Sequence, residues 1–193
     1  MTRTPKSIFI LEGIATSGKT ALAKEIEARW QKEGLQYLHI DENRSLMPIL
    51  ENTDPSVAIK FLTTLLDEVF AQSVDAVLFD RLYMTHVFRT HGTLVDFRAI
   101  EDRLRVLGAT LVLLTVPEAA VMPRIQSAMA HRPTSWSSYV QKKGDAAAIE
   151  RYYVEQQREL RHFIETSELS SRIFDTTQLS YAKIAEQLLD TNL

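Results

Sequence analysis

The run Gly13-Ile14-Ala15-Thr16-Ser17-Gly18-Lys19-Thr20 constrains this chain more than any other stretch. It fits G-x-x-x-x-G-K-[ST] without substitution, a pattern that carries its chemistry only between a strand and a helix. The sequence supplies both. Ser7-Ile8-Phe9-Ile10-Leu11 is a short apolar run with the composition of a buried strand. Between Ala21 and Trp30, the residues Leu22, Ile26 and Trp30 recur on one helical face. The glycines let successive backbone N–H groups turn inward around an anion, and the helix N-terminus adds partial positive charge. Lys19 is placed to reach β- and γ-phosphates, and the Thr20 hydroxyl to ligate Mg²⁺. Gly13, Ile14, Ala15, Thr16, Ser17, Gly18, Lys19 and Thr20 are therefore candidate nucleotide-binding residues. A glycine-rich turn carrying a solvated lysine is the bland alternative, and it would need neither the strand nor the helix.

The remaining chain alternates strand and helix signals, which predicts an α/β fold with a parallel sheet. After Gly34, Gln36 to Ile40 reads as a second strand ending at Asp41-Glu42-Asn43-Arg44. Asp54 caps a helix opened by Pro55. Its expected stripe is Val57, Phe61, Leu65 and Val69, widened by Ala58, Leu62, Leu66 and Phe70. Asp75 to Phe79 is a third strand ending at Asp80-Arg81. Asp96 to Leu107 reads as a helix stopped by Gly108. Ala109 to Val116 is an apolar, interior fourth strand, and Pro117 starts a helix reaching Met129. His131 to Lys143 breaks the pattern and reads as an irregular polar segment. A helix from Asp145 to Ile164, a strand at Ser171 to Phe174 and a closing helix marked by Tyr181, Ile184, Leu188 and Leu189 complete the chain.

With 193 residues and 45% hydrophobic content, one domain spanning 1–193 is expected. The net charge of −3 gives no support for nucleic-acid binding. The absence of cysteine excludes disulfides and thiolate metal sites. Met1 to Lys6 has no secretory apolar region, and no apolar run reaches the ~18 residues of a membrane helix. A cytoplasmic protein without membrane partners is the expectation.

In open parallel sheets, ligands bind outside the carboxyl ends of the strands. Three strands end there in polar groups: the Gly13–Thr20 loop, Asp41-Glu42 and Asp80-Arg81. Asp80 suits the acid that holds Mg²⁺ through water, or the N-cap of the next helix. Arg81 suits a phosphate or carboxylate bidentately, or pairs with Asp80 as scaffolding. Asp41 or Glu42 could take a proton from an attacking hydroxyl, or lie in a solvated turn. Arg124, Arg132, Lys142 and Lys143 flank or occupy the polar segment, where cations could close over phosphate. For Lys142-Lys143 a solvated basic loop is the favoured reading, since charge runs are usually just exposed. The histidines show no metal-ligand spacing, although His86 and His91 follow the Asp80-Arg81 strand end and are placed to line a pocket.

With these residues in place, the chain resembles the phosphate-loop kinases of nucleosides and nucleotides, thymidylate and deoxynucleoside kinases above all. Glu12-Gly13 resembles the thymidylate kinase opening. Asp80-Arg81-Leu82-Tyr83-Met84-Thr85 is similar to that family's Asp-Arg-Tyr-x-x-Ser segment and to the Glu-Arg-Ser segment of deoxynucleoside kinases. Thr115-Val116-Pro117-Glu118 with Arg124-Ile125 resembles the run leading into a lid, and Ile149-Glu150-Arg151-Tyr152-Tyr153 the helix after it. The resemblance implies a three-layer phosphate-loop NTPase fold: a five-stranded parallel sheet of order 2-3-1-4-5, helices on both faces and a lid at about 131–144. Three positions depart from the pattern. Ala15 stands where thymidylate kinases carry an acid that holds the sugar. Ala128 stands where both families place a second arginine, with Arg132 out of register. Deoxynucleoside kinases end their second strand in a glutamate base, and Asp41 or Glu42 is the nearest match.

The reading is an ATP- and Mg²⁺-dependent kinase acting on a small-molecule acceptor, a nucleoside or nucleoside monophosphate. Its expected catalytic residues are Lys19, Arg81, Arg124, Arg132 and Asp41 or Glu42, with Thr20 and Asp80 for the metal. A homodimer is left open. A phosphotransferase acting on an antibiotic or other metabolite hydroxyl is the alternative. A nucleotide-dependent regulatory module is the other, though no guanine-reading Asn-Lys-x-Asp segment is found.

Overall fold

A computed structural model of the chain describes residues 5–190. Strand β1 (Ser7–Glu12) runs into the Gly13–Gly18 loop and helix α1 (Lys19–Lys32), which stops at Gly34 with φ +71. Then come β2 (Tyr37–Ile40), a single turn α2 (Glu42–Ser45), a 3-10 turn at Met47–Ile49, and α3 (Pro55–Phe70). Next are β3 (Ala76–Asp80), α4 (Tyr83–Thr90), α5 (Arg98–Val106) and β4 (Thr110–Thr115). The chain continues with α6 (Glu118–His131), α7 (Thr134–Gln141), α8 (Ala146–Thr166), β5 (Ser170–Asp175) and α9 (Tyr181–Leu189).

The five strands form one parallel sheet of order β2-β3-β1-β4-β5, as expected. Because successive strand side chains point to opposite faces, each inner strand feeds two cores. Ile8, Ile10, Val77, Phe79, Leu111 and Leu113 pack under α3, α4, α5 and α8. Phe9, Leu11, Ala76, Leu78, Val112 and Leu114 pack under α1 and α9, where Trp30 stacks on Phe9 at 6.1 Å. This double burial explains the nearly continuous apolar runs of β1, β3 and β4. A third cluster joins Ile14, Val121, Ile125, Val140, Ile149 and Tyr153 beneath α6, α7 and α8. Gln157 ties α8 to the end of β4. It accepts from the Val116 N–H and donates to its carbonyl, each at 2.9 Å.

Several sequence expectations need correction. His131 to Lys143 is not irregular, because α7 occupies most of it. Its serines mask an apolar triplet at helical spacing, Trp136, Tyr139 and Val140, of which Val140 is buried. Helix α4 was not foreseen, since most of its residues are buried and the polar alternation that betrays a surface helix is missing. The stripe of α3 is rotated. Ala58, Leu62, Leu65, Leu66 and Val69 are buried, whereas Val57 is 36% exposed. Asp54 does cap α3, accepting from Ser56 N–H at 2.8 Å. Asp80 caps nothing: the cap of α4 is Leu82, without a side-chain bond.

Candidate active site

A cavity of about 860 Å³ lies over the carboxyl ends of the strands, bounded by the Gly13–Thr20 loop, α2, α4, α6, α7 and α8. The loop's geometry depends on its glycines. Gly13 (φ +145) and Gly18 (φ +103) are in conformations L side chains rarely adopt. A Cβ on Gly13 would lie 2.5 Å from the Leu114 carbonyl oxygen, and one on Gly18 would lie 2.3 Å from the Tyr181 hydroxyl. A side chain at Gly13 would have to move the sheet, and one at Gly18 would have to displace the Tyr181 ring.

Lys19 opens α1 and is buried. Its Nζ donates to the carbonyls of Gly13 (3.2 Å) and Ile14 (3.3 Å) and lies 3.6 Å from Glu42 Oε1. Burial pulls its pKa down and the neighbouring Arg81 adds to this, while Glu42 and Asp80 oppose it. Thr20 is exposed on the cavity wall. Asp80 ends β3 and is 5% exposed, and its Oδ1 has no hydrogen-bond partner. Burial pushes its carboxyl up, against the pull of Lys19.

Arg81 follows in the left-handed region, φ +64. For a long side chain this costs on the order of 1 kcal/mol. The turn is braced from beneath. The Arg81 N–H donates to the Leu11 carbonyl at 2.9 Å, and the buried Glu12 carboxylate accepts from the Leu82 N–H (3.0 Å) and the Thr85 hydroxyl (2.5 Å). Burial pushes Glu12 up, against its hydrogen bond from Thr85 and the charge of Arg81. So held, Arg81 donates from Nε to Glu42 at 2.6 Å and from Nη1 to Thr85 at 3.2 Å. Sequence reasoning missed Glu12 and Thr85 as supports. The available signal was a carboxylate closing an otherwise apolar strand.

The two neighbouring carboxylates at the end of β2 part company. Asp41 caps α2, accepting from the N–H groups of Asn43 (3.1 Å) and Arg44 (3.3 Å), and it does not line the cavity. Glu42 does line it. Burial acts to raise its pKa, but the charges of Arg81 and Lys19 overcome this and hold it at about 2.

Arg124, on α6, donates to the Thr16 carbonyl and to the Thr176 hydroxyl, each at 3.2 Å, bridging the loop to the segment after β5. Ala128 lines the cavity one turn on. Arg132 lies beyond the helix in extended conformation, its guanidinium 4.7 Å from the Trp136 ring centroid. Lys142 lines the main cavity, and Lys143 turns away to a neighbouring groove. His86 faces the 45–52 segment: Nε2 lies 2.9 Å from the Ser45 carbonyl and Nδ1 3.3 Å from Arg89 Nη1. Arg89 also donates to the carbonyls of Ile49, Leu50 and Asn52. Arg89, Tyr139, Tyr152, Tyr153 and Gln156 are lining residues that sequence reasoning did not single out. His91 lines the groove rather than the main cavity.

Among the described residues, no three His, Asp or Glu side chains are grouped to hold a metal by themselves. The donors fit a hard cation shared with a phosphate ligand. The unpartnered Asp80 oxygen and the Thr20 hydroxyl offer oxygen ligands of the kind Mg²⁺ takes, and Mg²⁺ keeps waters and phosphates in the rest of its shell. The buried, unpartnered hydroxyls of Thr16 and Ser17 lie in the loop itself. No helix among the described residues is long and apolar enough to cross a membrane.

No protein-family model matches the chain, and no curated protein sequence does. Solved structures do. The YorR protein of Bacillus subtilis, in complex with phosphorylated GDP, aligns over 96% of this chain and 95% of its own, with TM-score 0.69 and 18% identity. Polyphosphate kinase 2 of Arthrobacter aurescens aligns over 98% of this chain and 68% of its own, with TM-score 0.65 and 17% identity. Shikimate kinase of Bacteroides thetaiotaomicron aligns over 96% and 95%, with TM-score 0.57 and 13% identity. The chain has the three-layer phosphate-loop NTPase fold, with the sheet order and two-sided helical cover that the sequence implied.

Proposed function

We propose that this chain is an ATP- and Mg²⁺-dependent kinase that transfers the γ-phosphoryl group to a nucleoside or nucleoside monophosphate. The observation that carries the reading is the meeting of Lys19, Glu42 and Arg81 above the phosphate-type loop, beside a buried carboxylate, Asp80, with an unpartnered oxygen. The loop cradles the triphosphate, and Lys19 neutralises charge that grows as the phosphoryl group moves. Thr20 and Asp80 would hold Mg²⁺, which when bound would supply neutralising positive charge to the phosphates. Arg81 positions the acceptor against the transferring group. Glu42, rather than Asp41, is the carboxylate available to an acceptor hydroxyl, because the Asp41 oxygens are spent on the turn of α2. With its pKa held at about 2, Glu42 stays ionised and accepts a hydrogen bond from that hydroxyl. Drawing Lys19 onto phosphate removes one of the charges that keep its basicity low. Arg124 on α6, just before the segment at 131–144, and Arg132 within it close over the phosphates and exclude water.

A second reading shares this machinery: transfer to the hydroxyl of an antibiotic or other metabolite. Ala15 favours it, since it lacks the acid that holds the acceptor sugar in the thymidylate kinase pattern.

The test is an acceptor screen with ATP and Mg²⁺ over nucleosides, nucleoside monophosphates and small alcohols, run beside Lys19→Ala. Acceptor-dependent ADP formation is expected. Lys19→Ala should lose roughly 100-fold or more, the usual loss on removing such a charge stabiliser, at nearly unchanged melting temperature. Full turnover by the variant would sink the kinase reading.

A further inference from the structure

We propose that a groove beside the main cavity binds an ammonium-bearing arm of the phosphate acceptor; the proposal rests on the kinase reading of that cavity. The groove, about 660 Å³, runs between the segment at 50–53, α4, α7 and α8. It shares Leu50, Glu51, Arg89, Tyr139 and Tyr152 with the main cavity. The two spaces therefore adjoin along these five side chains, and an acceptor whose hydroxyl meets Glu42 would reach the groove past Tyr139 and Tyr152.

The two spaces have opposite character. The main cavity is lined by Lys19, Arg81, Arg89, Arg124, Arg132 and Lys142 against Glu42 and Glu51, and suits polyphosphate. The groove carries Glu51, Glu155 and Glu159 against Arg89 and Lys143. The guanidinium of Arg89 is already engaged by the Ile49, Leu50 and Asn52 carbonyls. Glu51, Glu155 and Glu159 are exposed and form no salt bridge among the described residues. Tyr152, Glu155, Glu159 and Phe163 recur at helical spacing along α8, so the carboxylates and rings share one face.

The chain itself shows what this face takes. The Lys143 ammonium lies 4.2 Å from the Tyr152 ring centroid and 4.6 Å from that of Tyr139. Two aromatic faces on one ammonium make a cation seat. The Tyr152 ring is fixed there by edge contacts with Phe88 (5.6 Å) and Tyr153 (5.2 Å). Lys143 sits on a half-buried turn next to Gly144 (φ +120), so its long side chain can leave the seat without disturbing α7 or α8. Lys143 acts as an internal stand-in, and an amine-bearing acceptor displaces it. The substrate class is a hydroxyl compound that also carries a protonated amine.

The test separates this site from the kinase reading. Tetramethylammonium chloride is titrated into the full chain against sodium chloride at equal ionic strength, with amide NMR shifts as readout. Shifts confined to the groove are expected. Lys143→Ala, or Lys143→Gln should the first variant melt early, should bind about fivefold more tightly because the seat is freed. The double variant Glu155→Gln/Glu159→Gln should bind about fivefold more weakly. In turnover assays, the kcat/KM ratio of amino alcohols to their deaminated counterparts should exceed one and fall in the double variant. Shifts scattered outside the groove, or weaker binding in both Lys143 variants, would make the contact a latch between α7 and α8 and overturn the proposal. Groove binding with no acceptor turnover at all would instead overturn the kinase reading, and with it the amine's place on a phosphate acceptor, while leaving the cation seat standing.

Discussion

Asp80 carries a cost to the fold that the proposed metal role would explain. It is 5% exposed, one oxygen has no partner, and burial pushes its carboxyl up. A carboxyl whose folded pKa lies above its unfolded value costs stability as pH rises through that folded value. Asp80→Asn should therefore raise the melting temperature of the metal-free protein at pH 8 and move the Mg²⁺ midpoint of turnover upward by about tenfold or more. An unchanged midpoint with a lower melting temperature would make Asp80 structural. Glu12 is the opposite case. It is equally buried but fully engaged by Leu82 and Thr85, and it supports the strained Arg81 turn. Glu12→Gln should lose activity through misplacement of Arg81, read as a fall in kcat, because a neutral amide cannot match two charge-assisted bonds.

Among the elements, α4 and α7 both contribute walls to the main cavity, and on the proposed reading α4 faces the acceptor and α7 is the lid. His86 on α4 is buried, and burial holds it down to about 4, against its bond to Ser45 and with the charges of Arg89 and Arg81 adding to the effect. The unfolded chain binds this proton below its ordinary value of 6.5 and the folded chain does not until about 4. Stability should thus fall as pH drops through that window, by up to about 3 kcal/mol. Urea titrations at pH 7, 5.5 and 4.5 check this: His86→Gln should show a flatter slope than wild type, and equal slopes would remove His86 from the account. The segment from His131 to Lys143 should gain amide protection when an ATP analogue and Mg²⁺ are added, as Arg124 and Arg132 settle on phosphate. Equal hydrogen exchange in both states would leave α7 a passive surface helix.

For the whole molecule, a ligand that binds the folded state alone adds stability by mass action. At about 100 times its dissociation constant, an ATP analogue with Mg²⁺ should contribute about 2.7 kcal/mol, or roughly 5–10 °C in a chain of this size. Lys19→Ala should abolish that shift, and calorimetry reads it directly. What sequence determined about this protein was local or periodic. The Gly13–Thr20 motif between apolar strand and amphipathic helix placed the glycine-dependent loop that opens α1, and Asp54-Pro55, Gly34 and Gly108 marked helix boundaries by backbone chemistry within a few residues. Strand order 2-3-1-4-5 followed from the resemblance, and the parallel sheet bears it out. Tertiary structure alone set adjacent Asp41 and Glu42 apart, one as the cap of α2 and the other paired with Arg81, 39 residues away. It alone turned Glu12 into a support and left one Asp80 oxygen without a hydrogen-bond partner. It also brought Tyr139, Lys143 and Tyr152 into one cation seat. Propensity and periodicity report on neighbours within a few turns. Ion pairs, burial and desolvation depend on what the rest of the chain lays against a side chain, and no local pattern records that.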